Sequence, residues 1–107
     1  MDQSIEIIYP RPNAAVASFS GEYDMSTKPD TTALLNKLVG DYEVVVIDLR
    51  ETTFFDSSFL HCLVLANKCT GQVRLVVSDT ARKTLEISGL SKVFTLSPTR
   101  EDALSVS

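Results

Sequence analysis

The sequence predicts an α/β domain: a single mixed, mainly parallel sheet of about four to five strands with about four helices. Three observations predict it. From the second strand onward, strand-like and helix-like segments alternate in the order ββαβαβαβα, a pattern that implies right-handed crossovers. The run Val44-Val45-Val46-Ile47-Asp48-Leu49 is β-branched almost throughout, the mark of a central strand covered on both faces. The length, 107 residues with 44% hydrophobic side chains, suits one domain over 1–107 with a core that needs neither disulfide nor metal.

Each element has a local reason. Ile5, Ile7 and Tyr9 alternate with Glu6 and Ile8, and the turn Pro10-Arg11-Pro12-Asn13 leads into Ala15–Phe19, so the first two strands should pair antiparallel. Asp30 reads as an N-cap, Leu34, Leu35 and Leu38 follow at helical spacing, and Gly40 reads as the stop of a helix of about nine residues. After Asp56-Ser57-Ser58 the stretch Phe59–Lys68 is apolar almost all round, which predicts a largely buried helix. Val73–Val77 reads as a second buried strand. Asp79 or Thr80 should cap a helix through Ile87, closed by Ser88-Gly89. Val93–Leu96 is a candidate last strand, and Thr99 and Asp102 are spaced as in a capping box at the start of a terminal helix.

Charge and composition exclude several functions. The 10 basic residues are outnumbered by 14 acidic ones and form no cluster, the opposite of what phosphate neutralisation requires, so neither nucleic acid nor an anionic membrane is an expected partner. No apolar run approaches the roughly 20 residues of a membrane span and no secretory signal is visible, so a cytoplasmic location is expected. Cys62 and Cys69, about 10.5 Å apart along a shared helix, lie beyond disulfide reach, lack further ligands for a metal, and read as small core-filling thiols. There is no glycine-rich phosphate loop and no metal motif; no cofactor is expected and no catalytic set is assigned. His61 follows Ser57 by four residues, but a Ser-His hydrolase would lack a recognisable orienting acid and oxyanion loop.

Two polar groups stand out. Asp56-Ser57-Ser58 opens the apolar helix, where a residue of this kind serves either as an N-cap or as an exposed hydroxyl near the positive helix end, well placed for modification. Gly21-Glu22-Tyr23-Asp24 closes the second strand. Loops at the carboxyl ends of parallel strands gather on one edge, so this group can approach Ser57; the plainer reading is a Gly21 turn with Asp24 bonded to its own backbone.

At these residues the chain resembles the STAS domain family, and within it the stand-alone bacterial anti-sigma factor antagonists. The resemblance lies in Val46–Ser58, with Asp48-Leu49 ending the strand and Phe54-Phe55-Asp56-Ser57-Ser58 following, in Gly21-Glu22-Tyr23-Asp24, and in Thr84–Leu90 with its Ser88-Gly89-Leu90 end. It implies the STAS fold and a regulatory binding module that is not an enzyme. Such a protein binds an anti-sigma factor serine kinase, which supplies ATP and magnesium, and thereby releases the sigma factor. Phosphorylation would fall on Ser57 and weaken binding, and a serine phosphatase would reset it. The resemblance assigns Ser57 as phospho-acceptor, with Asp24 and Asp56 orienting it and Ser58, Phe59 and His61 completing the partner-binding surface of a monomer or weak dimer. Phe59 and His61 depart from the family's pattern, which has Gly at both positions. The alternative within the family is a non-phosphorylated subunit docking on a transporter ATPase or signalling complex.

Overall fold

A computed structural model describes residues 3–70 and 72–105. Strand β1 (Ser4–Arg11) pairs antiparallel with β2 (Ala14–Tyr23), as the short connection between them predicts. From β2 onward the neighbours are parallel: β3 (Val44–Asp48), β5 (Val73–Val76) and β6 (Thr95–Ser97) complete the order β1-β2-β3-β5-β6. A sixth strand, β4 (Thr52–Phe55), lies off this path and pairs parallel with the end of β2, in the register Gly21↔Thr52, Glu22↔Phe54, Tyr23↔Phe55. Among the described residues the sheet therefore has six strands, where about four to five were expected. The β-branched and aromatic run Thr52–Phe55 has clear strand propensity, but its partner lies 31 residues back along the chain.

That pairing depends on Gly21. Rather than forming a turn that closes β2, Gly21 carries the strand onward at φ 99°, and the register to β4 shifts between Gly21 and Glu22. This is a bulge at a left-handed position that favours glycine, and its N–H donates to the Glu51 carbonyl at 3.2 Å. β2 can therefore pair with β3 along its first half and with β4 at its far end.

Four helices complete the fold: α1 (Lys28–Asp41), α2 (Ser57–Thr70), α3 (Asp79–Ile87) and α4 (Arg100–Ser105). Expected boundaries move in α1, α3 and the last strand. Helix α1 has 14 residues, not about nine: Thr27 is its N-cap, Pro29 occupies the first turn, and Asp30 sits inside that turn facing the positive helix end rather than capping it. Gly40 does not stop the helix, which runs to Asp41 and has Tyr42 as its C-cap. In α3 the cap is Ser78, whose hydroxyl accepts from the Ala81 N–H at 3.3 Å, so Asp79 becomes a first-turn residue. The last strand slides to Thr95–Ser97 because Leu90–Lys92 forms a 3-10 turn started by Gly89 at φ 82°. Thr99 accepts from the Asp102 N–H at 3.1 Å, the expected cap of α4.

Side chains alternate across the central strands and divide the core in two. Ala15, Ala17, Phe19, Val45, Ile47, Leu49, Val73, Leu75 and Val77 face Leu35 and Leu38 of α1, Phe59, Cys62, Leu63 and Ala66 of α2, and Leu85 of α3. Ala14, Val16, Val44, Val46 and Val76 face the other way, under Ala103 and Leu104 of α4. Of the two cysteines only Cys62 fills core; its Sγ lies 3.3 Å from the Thr32 hydroxyl. Cys69 is exposed: seven residues on, it stays within about 20° of Cys62 around the axis but lies one residue from the end of α2.

Candidate functional site

The pairing of β2 with β4 brings the two polar groups together. Tyr23 and Phe55 are opposite each other, and the Asp56 N–H donates to the Tyr23 carbonyl at 3.3 Å, so Asp24 and Asp56 leave adjacent strand ends at the carboxyl edge of the sheet. Tyr23 is itself anchored: its hydroxyl donates toward the Ser4 and Ser20 carbonyls at 3.0 and 2.9 Å. Thr52 fixes the start of β4 by donating to the Phe19 carbonyl at 2.7 Å.

Each aspartate then starts a helical segment. The Asp24 carboxylate accepts from the Ser26 hydroxyl and N–H at 2.6 and 2.9 Å, and its own N–H donates to the Thr27 hydroxyl, a reciprocal capping box on the turn Met25–Thr27. The Ser26 hydroxyl first, and the Ser26 N–H second, hold the Asp24 carboxyl below its ordinary range. The Asp56 carboxylate accepts from the N–H groups of Ser58 and Phe59 at 2.9 and 3.2 Å. Asp56 is thus the cap of α2, which frees Ser57 from that duty. Ser57 is the first residue of α2 and is exposed; Ser58 is half-buried.

Two further expected contact residues diverge. His61 is exposed, one turn beyond Ser57 on the outer face of α2. Phe59 is not a surface contact: it is 1% exposed and packs its ring against Phe19, Tyr23 and Phe55 at centroid distances of 5.5, 5.3 and 5.9 Å. Two residues after Ser57, the helix turns this side chain into the core, where the aromatic cluster fastens α2 to the strand ends that carry the site. On the strand leading into α2 the exposed apolar side chain is Phe54, 51% exposed, and Leu65 is exposed farther along the helix. Phe54 stood unassigned in the sequence because Phe54 and Phe55 look equivalent until the pleat turns them to opposite faces.

A second polar cluster lies at the end of β3. The Asp48 carboxylate, 2% exposed, binds Arg50 at 3.0 and 2.8 Å and Arg100 of α4 at 2.8 Å. Burial pushes its carboxyl up, but the hydrogen bonds from Arg50 and Arg100 outweigh that and hold it below the ordinary range. The signal was a carboxylate closing an apolar strand with an arginine two residues later. Among the described residues, no group of three or more His, Cys, Asp or Glu side chains is arranged to hold a metal ion, and no helix is long and apolar enough to cross a membrane.

A family model described as the STAS domain matches residues 7–103. The chain belongs to the STAS domain family. Among solved STAS structures it is similar to an anti-sigma factor antagonist from Mycobacterium paratuberculosis, at 28% identity and a TM-score of 0.84, covering 97% of this chain and 92% of that one. It is also similar to the Bacillus cell-fate determinant SpoIIAA in its phosphorylated form, at 19% identity and a TM-score of 0.72, covering 94% of this chain and 96% of that one. The unphosphorylated form of SpoIIAA gives 18% identity and a TM-score of 0.77, covering 94% and 93%. These two share the STAS fold. No curated protein matches the sequence. Within the STAS frame the Asp56-Ser57 pair opens the helix after β4, where the sequence resemblance puts the phospho-acceptor.

Proposed function

We propose that this STAS domain is an anti-sigma factor antagonist that binds an anti-sigma factor serine kinase, releases the sigma factor, and is switched off by phosphorylation of Ser57. The observation that carries the reading is the exposed Ser57 hydroxyl at the first residue of α2, freed by an Asp56 cap and backed by a buried aromatic anchor. The likeness to a 28% identical antagonist supports the partner class. The contact surface is Asp24, Asp56, Ser57, Ser58 and His61, with Phe54 taking the place of Phe59.

In the switch, the kinase transfers the γ-phosphoryl group of ATP to Ser57 Oγ; the hydroxyl proton passes to a base of the kinase and ADP leaves. The product carries nearly two negative charges beside Asp56. At roughly 6 Å, a doubly charged phosphate and one carboxylate repel by about 1 kcal/mol in water and about 5 at an effective dielectric of about 20. Every 1.4 kcal/mol is about tenfold in affinity, so one modification at the centre of an interface switches binding without a change of fold. A phosphatase that hydrolyses the ester returns the domain to its binding form.

Incubated with its cognate kinase and ATP, the domain should gain the mass of one phosphate, and Ser57→Ala should abolish the gain. No gain with a demonstrably active kinase overturns the switch. ATP-independent copurification with a transporter ATPase or signalling complex, unaffected by Ser57→Asp, would replace it with a docking role.

A further inference from the structure

We propose that His61 is the counter-charge for a phosphate on Ser57: the phosphorylated side chain lies along α2 against the imidazolium, and this pairing makes the phosphorylated state sensitive to pH. The proposal rests on the phosphorylation reading of Ser57.

The geometry is that of α2. Residues four apart on a helix differ by about 40° around the axis and about 6 Å along it, so Ser57 and His61 are neighbours on one face. Both are exposed, and among the described residues neither side chain is engaged in a hydrogen bond. The order is the favourable one: an anion one turn N-terminal to a cation agrees with the helix dipole, whereas the reverse opposes it. His61 stands in the second turn, beyond the region where the positive helix end would resist its charge.

The elements packed most closely against α2 are α1, β4 and β5, and no cation on them has the i, i+4 relation that His61 has to Ser57. On α2 itself the next cation is Lys68, about 16 Å along the axis from Ser57, followed by Cys69. Helix α1 carries Lys28, Asp30, Lys37 and Asp41, but it meets α2 on the Cys62 side, where Thr32 touches Cys62, about 100° around the helix from His61. Strand β4 has no titratable side chain, and Arg74 of β5 faces the opposite side of the sheet, where it donates to the Ala103 carbonyl at 2.8 Å. The nearby carboxylates, Asp24 and Asp56, are occupied as caps and would repel a phosphate toward the outer face of α2. The second ionisation of a serine phosphate falls at about pH 6, close to the histidine range, so each group governs the other between about pH 5 and 8.

The test installs phosphoserine at position 57 during translation, which makes it independent of any kinase. The phosphorus signal and the His61 ring signals are followed by NMR from pH 5 to 8 in the native chain, in His61→Gln and in His61→Lys. Pairing predicts that phosphorylation raises the midpoint of the ring signals by about half a pH unit, roughly threefold in proton affinity. It also predicts that the phosphate midpoint rises by a similar amount in His61→Gln and returns to the native value in His61→Lys. Ring and phosphate midpoints that ignore each other overturn the proposal. A kinase that leaves Ser57 unmodified would instead sink the switch and leave this measurement standing.

Discussion

The two faces of the sheet are held by different physics. On one face three helices bury a continuous apolar layer, with Phe19, Tyr23, Leu35, Phe59, Leu63 and Leu85 all at 2% exposure or less. On the other, a helix of six residues contributes little beyond Ala103 and Leu104, and side chains tie it down: Arg100 to Asp48, and Arg74 to the Ala103 carbonyl. The first face is stabilised by area removed from water, which is insensitive to pH; the second is stabilised by a few directional contacts, which are not. The Ser57 site belongs to the first face. A phosphorylation switch that leaves the fold intact needs that kind of support.

The largest effect should come from the aromatic anchor. Phe59→Ala removes a ring from a packed cluster and is expected to cost about 3–5 kcal/mol, read from urea unfolding. A loss below about 1 kcal/mol would mean that the first face is not held as described. Smaller, and different in kind, is Asp48→Asn. It strands two arginines that are themselves partly exposed, and about 1–3 kcal/mol is expected, with amide exchange in α4 accelerated more than in α2. The sign with pH follows from the lowered carboxyl. Because folding depresses its proton affinity, Asp48 contributes stability that is fully present above its ordinary value of 3.8 and is lost as the pH falls below that value. Asp48→Asn should therefore flatten the acid limb of the stability curve, which Phe59→Ala should merely lower. An unchanged acid limb would remove Asp48 as the tie of the second face. The smallest effect is a gain: Gly40 lies in α1 with open space where a methyl group would sit, so Gly40→Ala should raise the midpoint of unfolding by the equivalent of about 0.5–1 kcal/mol.

Much of the fold was legible in residue patterns. The antiparallel first pair, the buried strands at Val44 and Val73, and four helices follow from periodicity and β-branching, which are local. Boundaries were less legible, because several residues compete for each cap: Thr27 prevails over Asp30 where the turn Met25–Thr27 leads into α1, and Ser78 over Asp79 through its hydroxyl bond to the Ala81 N–H. Within the site, Asp56, Ser57 and their helix were readable from the Asp-Ser-Ser segment before an apolar stretch. The role of Phe59 was not. Whether a phenylalanine two residues into a helix faces solvent or core depends on where the helix starts and what packs beneath it.

By itself, then, the sequence determined the class of fold and the acidic balance without a basic stripe, since composition and periodicity act over a few neighbouring residues, and the family resemblance of Asp56-Ser57-Ser58 marked the candidate serine. Only the tertiary structure decided that β4 joins β2 through the Gly21 bulge, that Asp24 and Asp56 meet at one edge, that Phe59 turns inward while Phe54 and His61 stay outside, and that Asp48 collects arginines from two segments. Each of these joins residues far apart in the chain, or chooses between faces of one element, and the free energy that decides it is that of packing and burial in the completed fold.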